Sequence, residues 1–294
     1  MMRHSLMDKL LELMGDCYNM DLSLTKNLAK QIRKDIVDMT YAIGTSGTHI
    51  GGSLSMVELI TVLYNDFLIY NKTNMQDENR DRFILSKGHG AMAMYAIMHR
   101  VGILSDEEIA TFKKDGTLYA THPLMNLEKG IEFSTGSLGH GLSLGVGSAI
   151  ALKLKNNKES KVVVMMGDGE CDEGSIWEAA MSAHHYNLDN LILIIDRNHL
   201  QLDGEINTIM NLISLENKFK SFGWDVSRIK NGHNVEEIYD VLSDVRQKQK
   251  SPHVVIAETI KGKGVSFIEN KYNWHIGVLS KDQYEQACKE LEVL

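Results

Sequence analysis

Two strand-like runs in this chain each end in residues with hard oxygen donors. Val162 to Met166 leads into Gly167-Asp168-Gly169, and Leu191 to Ile195 leads into Asp196-Arg197-Asn198. Asp168 offers an anionic carboxylate and Asn198 a neutral amide oxygen, a pair suited to Mg²⁺ shared with phosphate oxygens; Ca²⁺ and Mn²⁺ accept the same ligands. The two glycines let the backbone turn sharply and come close to a bound group. A helical pattern lies between the runs, so one crossover separates Asp168 from Asn198, and parallel sheets bind ligands beyond the carboxyl ends of their strands. Taken alone, Gly-Asp-Gly is a common turn and a strand-end Asn a cap. The signal is their combination at crossover spacing between strand-like flanks. Neither G-x-x-x-x-G-K-[ST] nor G-x-G-x-x-G occurs here, since Asp172 stands where the third glycine would be.

Four histidines occupy glycine-rich or turn-like settings. His49 lies in Gly44-Thr45-Ser46-Gly47-Thr48-His49-Ile50-Gly51-Gly52, where little side-chain bulk covers it. A loop histidine bonding a carbonyl is the plainer reading of such a residue. His89 is bracketed in Ser86-Lys87-Gly88-His89-Gly90, after a short strand from Asp81 and before an apolar helix from Ala91 to His99. Free N–H groups and the helix dipole favour anions at such a helix start. His122, in Tyr119-Ala120-Thr121-His122-Pro123, and His275, in Trp274-His275-Ile276-Gly277, would each pass as a turn residue. Lys261-Gly262-Lys263-Gly264 follows a buried strand from Val254 to Glu258 and reads as a loop folding over phosphates. A nucleic-acid contact is the weaker reading of so short a basic patch in an acidic chain.

The elements that must position these residues follow from hydrophobic periodicity. Leu28, Ile32, Ile36 and Met39 mark one helix, Met56 to Phe67 a second, and the small-residue stretch Ser143 to Leu154 a third. The helix after Gly-Asp-Gly carries an apolar stripe of Ile176, Trp177, Ala180, Met181 and His184. Phe222-Gly223-Trp224 turns into another strand, and Asn231-Gly232-His233-Asn234 reads as a structural turn. Residues 1–24 form an amphipathic helical lead-in with Leu6, Leu10, Leu13 and Met14 on one face. The 294 residues, 43% of them apolar, read as a single α/β domain, 1–294, with no repeat or polar linker. A formal charge of −8 argues against general nucleic-acid binding. Cys17, Cys171 and Cys288 form no C-x-x-C and suggest neither a disulfide framework nor a zinc site, so a reducing cytoplasm is expected. No apolar run approaches the ~18 residues of a membrane span.

The stretch from Gly167 to Asn198 resembles the thiamine diphosphate motif, and the histidine segments resemble the transketolase family in its N-terminal, diphosphate-binding half. The likeness runs from about Leu28 to His275. It implies a three-layer α/β/α fold with a central, mostly parallel sheet, and thiamine diphosphate with Mg²⁺ as cofactors. It implies Asp168, Asn198 and the Leu200 backbone carbonyl as metal ligands, flanked by Gly167, Gly169 and Lys261. His89 would lie beside the diphosphate, His49 in the substrate channel, His122 near the thiazolium, and His275 as a fourth active-site histidine. Gly136, Ser137 and Leu138, in Ser134-Thr135-Gly136-Ser137-Leu138-Gly139, would touch the cofactor's ring system through their main chain. Glu173 and Glu178 would lie at a subunit interface linking two cofactor sites, although a solvated helix start accounts for both. The chain departs from the family's Ser-Gly-His-Pro-Gly at Thr48 and Ile50, and from Trp-His-Gly at Ile276.

In the family, the glutamate that activates the aminopyrimidine lies in a second domain. The chain is therefore expected to be the N-terminal subunit of a split transketolase, working with a C-terminal, pyrimidine-binding subunit in an α2β2 assembly on sugar phosphates or related sugars. No nucleic acid or membrane partner is expected. Three other readings share parts of the pattern: another thiamine enzyme (deoxyxylulose-phosphate synthase or a 2-oxoacid dehydrogenase α chain), a Mg²⁺-dependent phosphotransferase, and a non-catalytic binding module. Ser-Lys-Gly-His-Gly and Tyr-Ala-Thr-His-Pro favour transketolase over the first.

Overall fold

The computed structural model describes residues 20–293. Most of the expected lead-in falls outside them, and the first helix of the described residues, α1 (Leu22–Ala42), begins inside the 1–24 range, where Asp21 caps it, accepting from the Leu24 N–H at 3.0 Å. Among the described residues, five strands form one sheet: β1 (Arg82–Leu85), β2 (Val162–Gly167), β3 (Leu191–Arg197), β4 (Asp225–Ile229) and β5 (His253–Glu258). Their order is β1-β2-β3-β5-β4, and every pairing is parallel.

Strand residues alternate between two cores, as a two-residue period requires. Val163, Met165, Ile192, Ile194 and Val255 face one cluster, while Val162, Val164, Leu191, Leu193 and Val254 face the other. Helices cover both faces, which is why β2 and β3 read as continuous apolar runs instead of alternating ones. On the first face lie α1, α2 (Ile50–Ser55), α3 (Val57–Val62) and α4 (Ala91–Arg100). On the second lie α5 (Gly141–Leu154), α6 (Gly174–His185) and α7 (Leu215–Ser221). Helix α8 (Val235–Lys248) returns to the first face, joined there by Ala287 and Leu291 of α9 (Lys281–Glu292). The three-layer α/β/α expectation holds. No helix of the described residues is long and apolar enough to cross a membrane.

Two local expectations need correction. The glycine-rich stretch is not loop through to Gly52: the chain becomes helical at Ile50, and the expected Met56 helix is interrupted at Met56 before α3 runs into a π-helical turn, Leu63–Phe67. Gly51 and Gly52 lie inside α2 because other groups press on it. A Cβ on Gly51 would sit 2.7 Å from the Trp274 carbonyl oxygen, and one on Gly52 would sit 2.9 Å from the His89 ring. On α6 the buried face is Ile176, Ala179, Ala180 and Ala183, while Met181 and His184 are exposed.

Helix α5 gives a paired test of close packing. A Cβ at Gly145 would lie 2.5 Å from Val164 Cγ2, whereas nothing among the described residues lies within 4 Å of one at Gly147. Gly145→Ala is expected to destabilise the fold by about 1–3 kcal/mol through overpacking. Gly147→Ala is expected to stabilise it by about 0.5–1 kcal/mol through helix propensity. Chemical denaturation of the two variants checks the opposite signs.

Candidate active site

The carboxyl ends of β2, β3 and β5 stop at one level, with Gly167 opposite Asp196 and Arg197 opposite Glu258. The segments leaving these ends, together with the loop after β1 and the start of α2, enclose an open cavity of about 230 Å³. All four expected histidines line it, as do Gly136, Leu138, Gly167, Asp168, Gly169, Asn198, Leu200 and Lys261. Ser137, Glu173 and Glu178 do not line it; all three are exposed, the two glutamates at and after the start of α6.

Asp168 and Asn198 are buried and held by their own backbone surroundings. The Asp168 carboxylate accepts from the His199 N–H at 2.6 Å and the Gly169 N–H at 3.0 Å. His199 makes its bond from a left-handed backbone, φ 65°, a conformation uncommon outside glycine, and its ring reaches Glu258 at 2.8 Å. The Asn198 amide is oriented from both ends. Its Oδ1 accepts from the Leu200 N–H at 3.2 Å, and its Nδ2 donates to Asp196 at 3.5 Å. Burial, with Asp196 nearby, raises the Asp168 carboxyl to about 7 despite the two N–H donors.

The imidazoles pack as a cluster. Ring centres of His49 lie 5.8 Å from His89, 5.3 Å from His122 and 5.3 Å from His275, and His89 lies 5.1 Å from His275. The strand-like contact Thr48–Gly277 delivers two of them, with reciprocal hydrogen bonds of 2.9 and 2.8 Å next to His49 and His275. Burial lowers all four. Cationic neighbours add to it for His49, which falls to about 4, for His275, which falls to about 3, and for His89. Near neutral pH each ring is therefore uncharged and can donate at one nitrogen while accepting at the other. Nδ1 of His49 is buried without a hydrogen-bond partner among the described residues. Lys261 lies beside the cluster, with Nζ 3.0 Å from His275 Nδ1 and 3.2 Å from each of the Leu200 and Gln201 carbonyl oxygens. Burial and Lys87 lower its pKa to about 8.

The largest omission from the sequence reading lies in the cavity wall, which Lys87 lines. Lys87 forms a fully buried ion pair with Asp196, and the same carboxylate accepts from Ser55 Oγ at 2.5 Å and from Thr259 Oγ1. Burial opposes ionisation of Asp196, but Lys87 and these hydroxyls outweigh it and hold the carboxyl below its usual range. Glu170, Gln201 and Leu202 also line the cavity and were not anticipated. A lysine and an aspartate inside the motifs already singled out, Ser86-Lys87-Gly88 and Asp196-Arg197-Asn198, were the available signal.

The residues present fit a divalent ion bound to a diphosphate. Asp168, Asn198 and the Leu200 carbonyl are hard oxygen donors, and Lys261 and Lys87 place positive charge in or under the cavity. Leu200 O already accepts from Lys261, and a carbonyl oxygen has a second lone pair for a cation.

Residues 24–293 match the family described as transketolase, thiamine diphosphate binding domain. The chain is 42% identical over 259 residues to an apulose-4-phosphate transketolase subunit of Phocaeicola vulgatus, covering 88% of this chain and 90% of that one. It is 39% identical over 264 residues to the 6-deoxy-6-sulfo-D-fructose transketolase subunit SqwG of a Clostridium species, covering 90% and 94%. Among solved structures, transketolase from Leishmania mexicana superposes with a TM-score of 0.84 at 28% identity, covering 91% of this chain and 41% of that one. Transketolase from Campylobacter jejuni gives 0.82 at 29%, covering 93% and 43%. The chain thus spans about two-fifths of the solved transketolases it matches and nearly the full length of the subunit relatives. Fold and match together define a thiamine diphosphate-binding α/β domain. The chain belongs to the transketolase family, as its N-terminal part, and closely matches known subunits of split transketolases.

The charge arrangement can be checked directly. Lys261 is one cause of the low His275 pKa, because a neighbouring cation disfavours the imidazolium form. In ¹⁵N-histidine spectra, His275 of the native chain is expected to stay neutral down to pH 5. Lys261→Met should move its titration upward, toward the ordinary value near 6.5. Identical curves for the two proteins would contradict that role for Lys261.

Proposed function

We propose that this chain is the diphosphate-holding subunit of a two-chain transketolase, which moves a two-carbon ketol unit from a ketose phosphate or related ketose to an aldose. Its partner is a separate C-terminal subunit carrying the pyrimidine-binding half, in an α2β2 assembly. The observation that carries this reading is the convergence of Asp168, Asn198 and the Leu200 carbonyl with four neutral imidazoles in one cavity. The subunit relatives, matched over nearly their whole length, support a divided enzyme.

Bound thiamine diphosphate supplies the chemistry of breaking and forming a carbon–carbon bond beside a carbonyl. The protein's own part is to bind, orient and move protons. Asp168, Asn198 and the Leu200 carbonyl would hold Mg²⁺ with the diphosphate, and His89 and Lys261 would offset the remaining charge. Gly136 and Leu138, in the loop before α5 with Ser137 beside them, would support the ring system. His49, His122 and His275 would be left for the sugar. Because they are uncharged, each ring carries one N–H donor and one acceptor nitrogen, the acceptor of His275 being the Nδ1 that lies 3.0 Å from Lys261 Nζ. Glu173 and Glu178, exposed on α6, are available to a second copy of the assembly.

The test is a coupled assay with a ketose phosphate donor and an aldose acceptor. Neither of the two chains is expected to turn over by itself, and the mixture is. Asp168→Ala in the mixture should reduce turnover at least 100-fold, since a charged ligand is lost from the metal. Full activity from this chain alone, or an unimpaired Asp168→Ala mixture, would overturn the proposal.

A further inference from the structure

Glu170 lies two residues beyond Asp168, is 1% exposed, and has no assigned part in the reading above. Its surroundings are unusual for a carboxylate, because every donor that reaches it comes from a different cofactor-facing segment. Oε1 accepts from the Ser86 hydroxyl, in the loop after β1, and from the Gly139 N–H at 2.9 Å, in the loop before α5. Oε2 accepts from the Gly167 N–H at 3.3 Å, at the end of β2. The Ser86 hydroxyl, while donating to Glu170, accepts from the Gly141 N–H at 3.1 Å. One side chain thereby ties together the segment that holds His89, the segment that holds Gly136 and Leu138, and the turn that holds Asp168.

The chemistry of these bonds calls for an ionised carboxylate. It presents acceptor sites only, so it can receive a hydroxyl and two backbone N–H groups at once. A neutral amide of the same shape can keep its one oxygen on Ser86 and Gly139, but it turns its NH2 group against the Gly167 N–H, which itself donates. The tie to the strand end is then lost, and the two loop bonds lose their charge assistance. Bonds of this kind to a buried ionised acceptor are stronger than neutral ones.

We propose that Glu170 is a positioning residue: it pre-assembles the diphosphate-binding cavity by clamping the loops after β1 and before α5 to the end of β2. It need not touch the cofactor to do so. This rests on the proposed thiamine diphosphate reading, and its effect falls on cofactor affinity, because loops left unclamped must be ordered at the moment of binding.

The experiment measures thiamine diphosphate affinity by calorimetry on the assembled two-chain protein at saturating Mg²⁺, beside steady-state kinetics and thermal melting. Glu170→Gln is expected to raise the cofactor Kd about tenfold or more, the loss of roughly one charge-assisted bond. At saturating cofactor its kcat should stay within about threefold of the native value. That division between affinity and turnover distinguishes positioning from general damage, which would lower both. Asp168→Ala, run in parallel, separates the two readings. If it loses Mg²⁺-dependent binding while Glu170→Gln binds as tightly as the native protein, the clamp is refuted and the cofactor reading stands. If Asp168→Ala binds normally, the cofactor reading itself fails. Should Glu170→Gln not fold, Ser86→Ala removes only the hydroxyl arm. A rise in Kd of about three- to tenfold is then expected, and an unchanged Kd, or a loss confined to kcat, overturns the proposal.

Discussion

A carboxylate with no solvent exposure cannot remain charged unless the protein replaces the water it has lost. Asp196 meets this requirement by drawing donors from four places: Lys87 after β1, Ser55 at the end of α2, Thr259 just past β5, and Asn198 on its own segment. None of these segments can withdraw without leaving charge or a donor buried and unpaired. The pair of Lys87 and Asp196 is therefore a constraint on geometry more than a source of stability. It joins the strand ends to α2, and Lys87 lines the cavity formed there.

Electrostatics in that space follow from the same packing. Lys87 and Lys261 both line it, so the imidazoles around them are kept uncharged by burial and by neighbouring cations. The cavity thus combines fixed positive charge with neutral proton carriers. An anionic diphosphate complements the first, and sugar hydroxyls complement the second. Two of the oxygen donors that suit a divalent ion are oriented by their own hydrogen bonds, Asp168 on backbone N–H groups and Asn198 on Leu200 and Asp196, while the third, the Leu200 carbonyl, accepts from Lys261.

Much of this was legible in the sequence because it is written locally. The β-branched and apolar runs of β2 and β3, the Gly-Asp-Gly turn and the glycine-bracketed His89 each signal within a few residues. The ion pair of Lys87 and Asp196 was not legible in that way. Lys87 and Asp196 are 109 residues apart, and each looks like an ordinary strand-end polar residue until the sheet register brings them together. The early start of α2 was hidden for a related reason: Gly51 and Gly52 signal a turn by composition, yet they serve close approach to Trp274 and His89. Periodicity found the helix α6 but placed Met181 and His184 in its core stripe, because spacing alone does not say which neighbours cover a face.

The central claim is that the ends of β2 and β3 are built to hold one divalent ion between Asp168, Asn198 and the Leu200 carbonyl. Anomalous diffraction from crystals of the assembled protein grown with Mn²⁺ and thiamine diphosphate measures this most directly. The account predicts a single strong peak in this cavity, bonded to those three oxygens and to the diphosphate. A diphosphate bound elsewhere on the chain, or an ion in the cavity bonded to the imidazoles with Asp168 and Asn198 turned away, would contradict it.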